Sequence, residues 1–179
     1  KRVFISEKMV SEALDVTPKS FTMTGRNGAA EVRIGENQEF IAVAPGNGTL
    51  FIQDIEGRRR LATFADFDNI TKLCENSRNV NLVGAIPVEP RDLFGPCKPA
   101  RLVHHLMRYS NKPLIGQAAN MKEARHVFDI IEIAFGKKGY LDDHVAIGYG
   151  VNPASPLCFE PLTCETMQAY AEKKQALFI

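Results

Sequence analysis

Tyr149, Asn152 and Ser155 are the polar side chains whose spacing first suggests chemistry. They stand where an apolar run, Val145-Ala146-Ile147-Gly148-Tyr149-Gly150-Val151, meets Asn152-Pro153-Ala154-Ser155-Pro156-Leu157. Pro153 has no N–H for a ladder and pushes Asn152 away from helical angles, so a strand must end there. A near-continuous apolar run reads as a strand of a buried parallel sheet. A phenol, a carboxamide and a hydroxyl are thereby predicted at its carboxyl end, where parallel α/β folds bind their ligands.

Two further strand-like runs end on candidate groups. Residues 80–86 lead to Glu89, and residues 113–119 carry Gln117 and stop at Asn120, which reads as a helix cap. Gly84, Gly116, Gly148 and Gly150 inside these runs leave room for a ligand or for a large neighbouring side chain. Other chemistries fail on spacing. His104 and His105 lie in a predicted helix with no third ligand nearby, His126 reads as structural, and His144 precedes a strand at its stability end. Cys158 and Cys164 bracket the loop after residue 151, but two thiols without a third ligand do not make a zinc site, and no metal is expected. Gly136-Lys137-Lys138-Gly139 lacks the Walker spacing, and Gly148-Tyr149-Gly150 opens no helix at the offset of a dinucleotide fingerprint.

Composition narrows the class. With 45% hydrophobic and 24% charged residues and a net charge of +1, the chain is an ordinary globular one. No basic block is present, which argues against nucleic acid as partner. No apolar run reaches the ~18 residues of a membrane span, and the first eight residues turn polar too soon for a signal peptide. The four cysteines are scattered without CxxC, so a reducing cytoplasm is the expected compartment.

The elements that must hold these groups fall into two textures that meet near residue 60. Residues 1–60 open with a helix capped by Ser6, with Met9, Val10, Ala13 and Leu14 on one face and Pro18 closing it. Short runs follow at 21–24, 31–34, 39–44 and 50–54, separated by Asn-Gly and Gly turns, and predict an antiparallel meander. Residues 61–179 alternate helix and strand. Thr63 and Asp66 begin one helix; Leu102, Val103, Leu106 and Met107 stripe a second; Asn120 with Glu123 opens a third that Gly136 ends; Thr163 starts a fourth. Strand starts near 80, 113, 145 and 175 repeat every roughly thirty residues, the length of a βα unit. Such a series builds either a doubly wound sheet or half of a (β/α)8 barrel, and a closed barrel of about 250 residues exceeds this chain. The expectation is an α/β fold behind a short helix and antiparallel meander, either an open doubly wound sheet or the N-terminal portion of a (β/α)8 TIM barrel, truncated within a strand at 175–179.

Several motifs, taken in order, resemble the trimethylamine methyltransferase superfamily, which includes glycine betaine methyltransferases. They are Gly25-Arg26-Asn27, Val32-Arg33-Ile34-Gly35, Gln53-Asp54-Ile55-Glu56-Gly57-Arg58-Arg59, Ala62-Thr63-Phe64-Ala65-Asp66-Phe67-Asp68-Asn69, Val88-Glu89-Pro90-Arg91-Asp92 and Asn152-Pro153-Ala154-Ser155-Pro156-Leu157. The resemblance runs from about residue 20 to 179. It implies a barrel enzyme that moves a methyl group from a tertiary or quaternary amine to the Co(I) of a separate corrinoid protein. The corrinoid is then carried by that partner, with no tightly bound cofactor on this chain, and a homo-oligomer is expected. The family's pyrrolysine position and the catalytic residues are expected beyond Ile179.

A quaternary ammonium has no N–H to donate and is held by aromatic faces and carboxylates. The resemblance therefore implies Tyr149 and Glu89 as cation contacts, with Gln117, Asn152 and Ser155 orienting a substrate carboxylate or shaping the corrinoid-facing mouth. In-line methyl transfer asks the protein for positioning and electrostatics rather than a general base. Two readings stand beside this one: another barrel enzyme acting on a small acid, and a non-catalytic module that binds a quaternary amine or docks a corrinoid protein.

Overall fold

A computed structural model describes residues 2–29, 31–35, 41–84, 86–152 and 158–178. The first helix, α1 (Glu7–Val16), starts where Ser6 accepts a hydrogen bond from the Met9 N–H at 3.3 Å. None of its residues is buried, so its apolar face finds no cover among the described residues. Two separate antiparallel pairs follow: β1 (Ser20–Met23) with β2 (Val32–Gly35), and β3 (Phe51–Gln53) with β4 (Arg59–Leu61).

These pairs replace the continuous meander read from the sequence. Of the strand expected at 39–44, residues 41–44 join no ladder, and 39–40 lie outside the described residues. The Val43 carbonyl instead accepts from the Asn81 and Leu82 N–H groups, and its N–H donates to the Asn81 side chain. A polar backbone beside the entrance to the main sheet offered that segment partners its neighbours in sequence did not.

The main sheet is parallel and four-stranded, in the order β5 (Val83–Gly84), β6 (Leu114–Gly116), β7 (Ile147–Gly150), β8 (Ala176–Phe178). Spatial order equals chain order, as expected when each crossover winds the same way. The crossovers carry α3 (Lys98–Tyr109), α4 (Met121–Phe135) with the short α5 (Tyr140–Asp143), and α6 (Pro161–Glu172); α2 (Phe64–Asn76) precedes β5. Leu114 and Ile147 pack with Phe67, Leu102, Leu106, Val127, Ile131, Leu141 and Tyr170 in one core, so the helices cover one face. The other face holds Ile115, Ala176 and Phe178 against Met23 and Val32 of the β1–β2 pair.

Local signals account for most boundaries. Thr63 and Asp66 form the expected capping box, and Arg60 adds two bonds to the Asp66 carboxylate at 2.6 and 2.8 Å. Asn120 accepts from the Glu123 N–H at 3.0 Å, and Gly136 ends α4 at φ 70°. The start expected at Thr163 moves to Pro161, because proline at the first helical position loses nothing by lacking an N–H.

Two polar side chains, the half-buried Lys112 and the buried Gln175, join what the ladders leave open. Lys112 donates to the carbonyls of Cys74, Ser77 and Val80 at 2.7, 2.8 and 2.7 Å, closing the carboxyl end of α2. Gln175 donates to the carbonyls of Leu141, His144 and Lys173 and accepts from the Ala146 and Ile147 N–H groups, tying the entrances of β7 and β8 together.

The N-terminal pairs pin both ends of the sheet. The Thr24 N–H donates to Val145 O at 2.7 Å and the Arg26 N–H to Asn111 O at 2.6 Å, at the entrances of β7 and β6. At the opposite end the Gly48 N–H donates to Ile86 O, and Thr49 bridges to Val88 beyond β5.

Candidate functional site

At the carboxyl end of the sheet a cavity of about 240 Å³ opens between the tips of β6 and β7 and the first turn of α6. Three of the residues singled out from the sequence line it together: Gln117, Tyr149 and Asn152. Gln117 and Asn152 are exposed and Tyr149 is half-buried, so two carboxamides face solvent above a ring that the protein partly holds. Ser155 lies outside the described residues.

Tyr149 takes its direction from the register. It pairs with Gly116 and Leu177, and it packs with the core on the helix-covered face. Its ring lies 5.2 Å from that of Tyr170 at 33°. Burial pushes its phenol pKa up, so the hydroxyl stays protonated at neutral pH.

Glu89 stands apart from these three. Its carboxylate pairs with Lys98, the first residue of α3, and its N–H donates to Thr49 O at 2.8 Å. It is not among the residues lining the cavity, whose described lining carries no charged side chain. Asn47 and Thr163 do line it, although the sequence reading took them for a bland turn and a helix start. Asn47 Oδ1 accepts from the Ile86 N–H at 3.1 Å, which fixes it beside the β5 tip. The turn chemistry of Asn47-Gly48 was visible in sequence; the approach of that turn to residue 86, a long-range contact, was not.

The strand glycines separate by what a side chain would meet. At Gly84, φ is +101° and a Cβ would strike the Ile115 carbonyl; at Gly148 it would strike the Phe178 ring. Both are packing positions. At Gly116 a Cβ would meet Ile147 Cδ1 and lie 2.9 Å from the Tyr170 hydroxyl, while at Gly150 the space is open.

Two of the four histidines make defined contacts. His105 Nδ1 is 2.9 Å from Asp68 Oδ1 with its ring 4.3 Å from Phe64, between α2 and α3. His104 and His126 are exposed. His144 stacks on Tyr140 at 4.2 Å, ahead of β7 and far along the strand from its tip. Cys158 and Cys164 are exposed, and among the described residues no group of three or more His, Cys, Asp or Glu could hold a metal ion.

This uncharged, amide-rimmed cavity is on a chain whose residues 1–179 match the family model described as trimethylamine methyltransferase (MTTB). The chain belongs to the trimethylamine methyltransferase family. It is 30% identical over 179 residues to the glycine betaine methyltransferase of Desulfitobacterium hafniense (strain Y51), covering 100% of this chain and 37% of that protein. It is also 29% identical over 163 residues to the L-carnitine:corrinoid methyltransferase of Eubacterium limosum, covering 87% of this chain and 33% of that protein. The chain thus spans about a third of the length of the curated relatives it matches. Among the described residues no helix is long and apolar enough to cross a membrane.

Proposed function

We propose that this chain is the amine-binding part of a methyltransferase that passes a methyl group from a carboxylated quaternary amine to the Co(I) of a separate corrinoid protein. The observation that carries the reading is the cavity that groups Gln117, Tyr149 and Asn152 at the sheet's carboxyl end with no charged side chain in its described lining. A zwitterion with internally balanced charge suits such a site. The aromatic ring offers its face to the ammonium, and the carboxamides offer N–H groups to the carboxylate.

Size points the same way. About 240 Å³ is below the ~300–1,000 Å³ of pockets for drug-sized ligands, so a small amine fits and a corrinoid macrocycle does not. A docked partner would bring the corrinoid, whose Co(I) supplies the nucleophile. The C–N bond pair stays on nitrogen as the methyl leaves, giving a neutral tertiary amine. Residues of this chain bind the amine, orient its methyl group outward and exclude water. In this reading the four-stranded sheet is one wall of a (β/α)8 barrel, residues 1–60 are an elaboration that closes its ends, and the protein assembles as a homo-oligomer.

The names of the relatives support glycine betaine and carnitine as the first substrates to test. The assay mixes the purified protein with a reduced corrinoid protein and each of glycine betaine, L-carnitine and trimethylamine, and follows loss of the Co(I) absorbance. Methylation of Co(I) from a carboxylated amine is the expected result. Binding of betaine without methylation would assign a binding module instead, and neither binding nor methylation would end the proposal.

A further inference from the structure

Residues 47–49 run beside the chain as it leaves β5. The Gly48 N–H donates to Ile86 O at 2.7 Å, Thr49 bridges Val88 as a parallel strand would, and the Glu89 N–H donates to Thr49 O at 2.8 Å. Asn47 opens this run, and its Oδ1 accepts from the Ile86 N–H at 3.1 Å. A backbone N–H can only donate, so the carboxamide oxygen must face it and the NH2 group is turned away. Asn47 and Ile86 both line the cavity, and Asn47 Nδ2 has no acceptor among the described residues. The amide is therefore left as a donor at the β5 side of the cavity. Gln117 and Asn152 line the cavity as carboxamides too, but neither side chain is hydrogen-bonded among the described residues. Each of those two loses side-chain freedom when it grips a ligand, whereas Asn47 has lost it on folding.

We propose that Asn47 sets the direction and the specificity of the cavity, its Nδ2 donating to the carboxylate of the bound amine. This deepens the amine-binding reading above and rests on it for the ammonium end. Sheet order places Tyr149 on β7, two strand spacings or about 10 Å from β5. A cation on the Tyr149 ring and a carboxylate at Asn47 thus lie toward opposite sides of the cavity, and a small molecule charged at both ends is held in one sense only. The described lining carries no cationic side chain, which leaves neutral donors to meet the carboxylate. The turn that precedes β3 is then part of the site as well as of the scaffold.

The test is calorimetric titration of wild-type and Asn47→Asp protein with three probes: glycine betaine, acetate and tetramethylammonium. The substitution keeps an oxygen for the Ile86 N–H and replaces the donor by a charged acceptor, so the variant should melt close to wild type. A hydrogen bond to a charged acceptor corresponds to roughly 10- to 100-fold in affinity, and the exposure of Asn47 puts its loss near the lower figure. The variant is expected to bind betaine and acetate about tenfold more weakly and tetramethylammonium at least as well as wild type, because the added negative charge favours a cation. A second measurement needs no variant. In isotope-labelled wild-type protein, the Asn47 side-chain amide resonances should shift on adding betaine or acetate and stay in place with tetramethylammonium. Betaine and acetate affinities unchanged in Asn47→Asp, resonances that ignore both probes, or a wild-type protein that binds neither would each overturn the proposal. If Asn47-dependent binding is present and no methyl reaches Co(I), the role of Asn47 stands and the methyltransferase reading falls. Methyl transfer from betaine with an indifferent Asn47→Asp variant means the reverse.

Discussion

Replacing Gln175 with leucine should destabilise the protein by about 2–4 kcal/mol although leucine is apolar, similar in bulk and placed in a buried position. Gln175 is 5% exposed. Its Oε1 accepts from the Ala146 N–H at 3.0 Å and, more weakly, from the Ile147 N–H at 3.4 Å. Its Nε2 donates to Leu141 O at 2.9 Å, His144 O at 2.9 Å and Lys173 O at 3.0 Å. Leucine leaves the Ala146 N–H and the carbonyls without this partner. An orphaned buried group costs about 1–3 kcal/mol, less for a carbonyl with a second lone pair, and the leucine's own burial returns about 1–2 kcal/mol. The assay is urea unfolding with the slope m held as a check that only stability changed. Amide exchange should quicken most at Ala146, just ahead of β7. A midpoint shift worth less than about 0.5 kcal/mol would refute the claim that this one amide joins the entrances of β7 and β8.

Three further outcomes follow from the same structure. Lys112→Met should cost about 2–3 kcal/mol in urea unfolding, because three carbonyls at the end of α2 lose a charged donor while the stem's packing is kept. The Asp66 carboxyl is held well below the usual range, first by its hydrogen bonds from Arg60 and also by those from Thr63, against the opposing effect of burial. A depressed folded-state pKa adds stability above the unfolded value of about 4, and that stability is lost as pH falls through the folded value. Acid unfolding monitored by circular dichroism should therefore lose part of its pH dependence below about pH 4 in Asp66→Asn. Tyr149→Ala should weaken betaine binding about tenfold by titration calorimetry, while Tyr149→Phe, which keeps the ring face, should bind like wild type.

Much of the scaffold was legible in the sequence because its causes are local. Thr63, Asn120 and Gly136 fix helix ends through bonds or backbone angles that span a few residues. The roughly thirty-residue spacing of apolar runs marked the four strands as parallel βα units, since such a unit has one preferred hand and length, while their order in the sheet, β5-β6-β7-β8, came from the structure. Where backbone groups had a choice of partner, sequence reasoning failed. Residues 41–44 look like a strand by composition, yet Val43 bonds to Asn81 and Leu82. The candidate site divides in the same way. Gln117, Tyr149 and Asn152 were visible as polar residues at strand ends and do share a cavity. Glu89 was visible too, but its pairing with Lys98 depends on where α3 begins in space.

The sequence by itself determined which residues cap, which alternate as helix and strand, and which polar groups fall at strand tips, because each depends on neighbours along the chain. The tertiary structure decided what those groups face. Register set Tyr149 opposite Gly116 and over Tyr170, and a turn more than thirty residues upstream brought Asn47 to the β5 tip. Gly116 reads in sequence as one more small residue in a strand. Only packing shows that a Cβ there would strike Ile147 Cδ1 and crowd the Tyr170 hydroxyl, because close approach is a property of two surfaces that no single segment encodes.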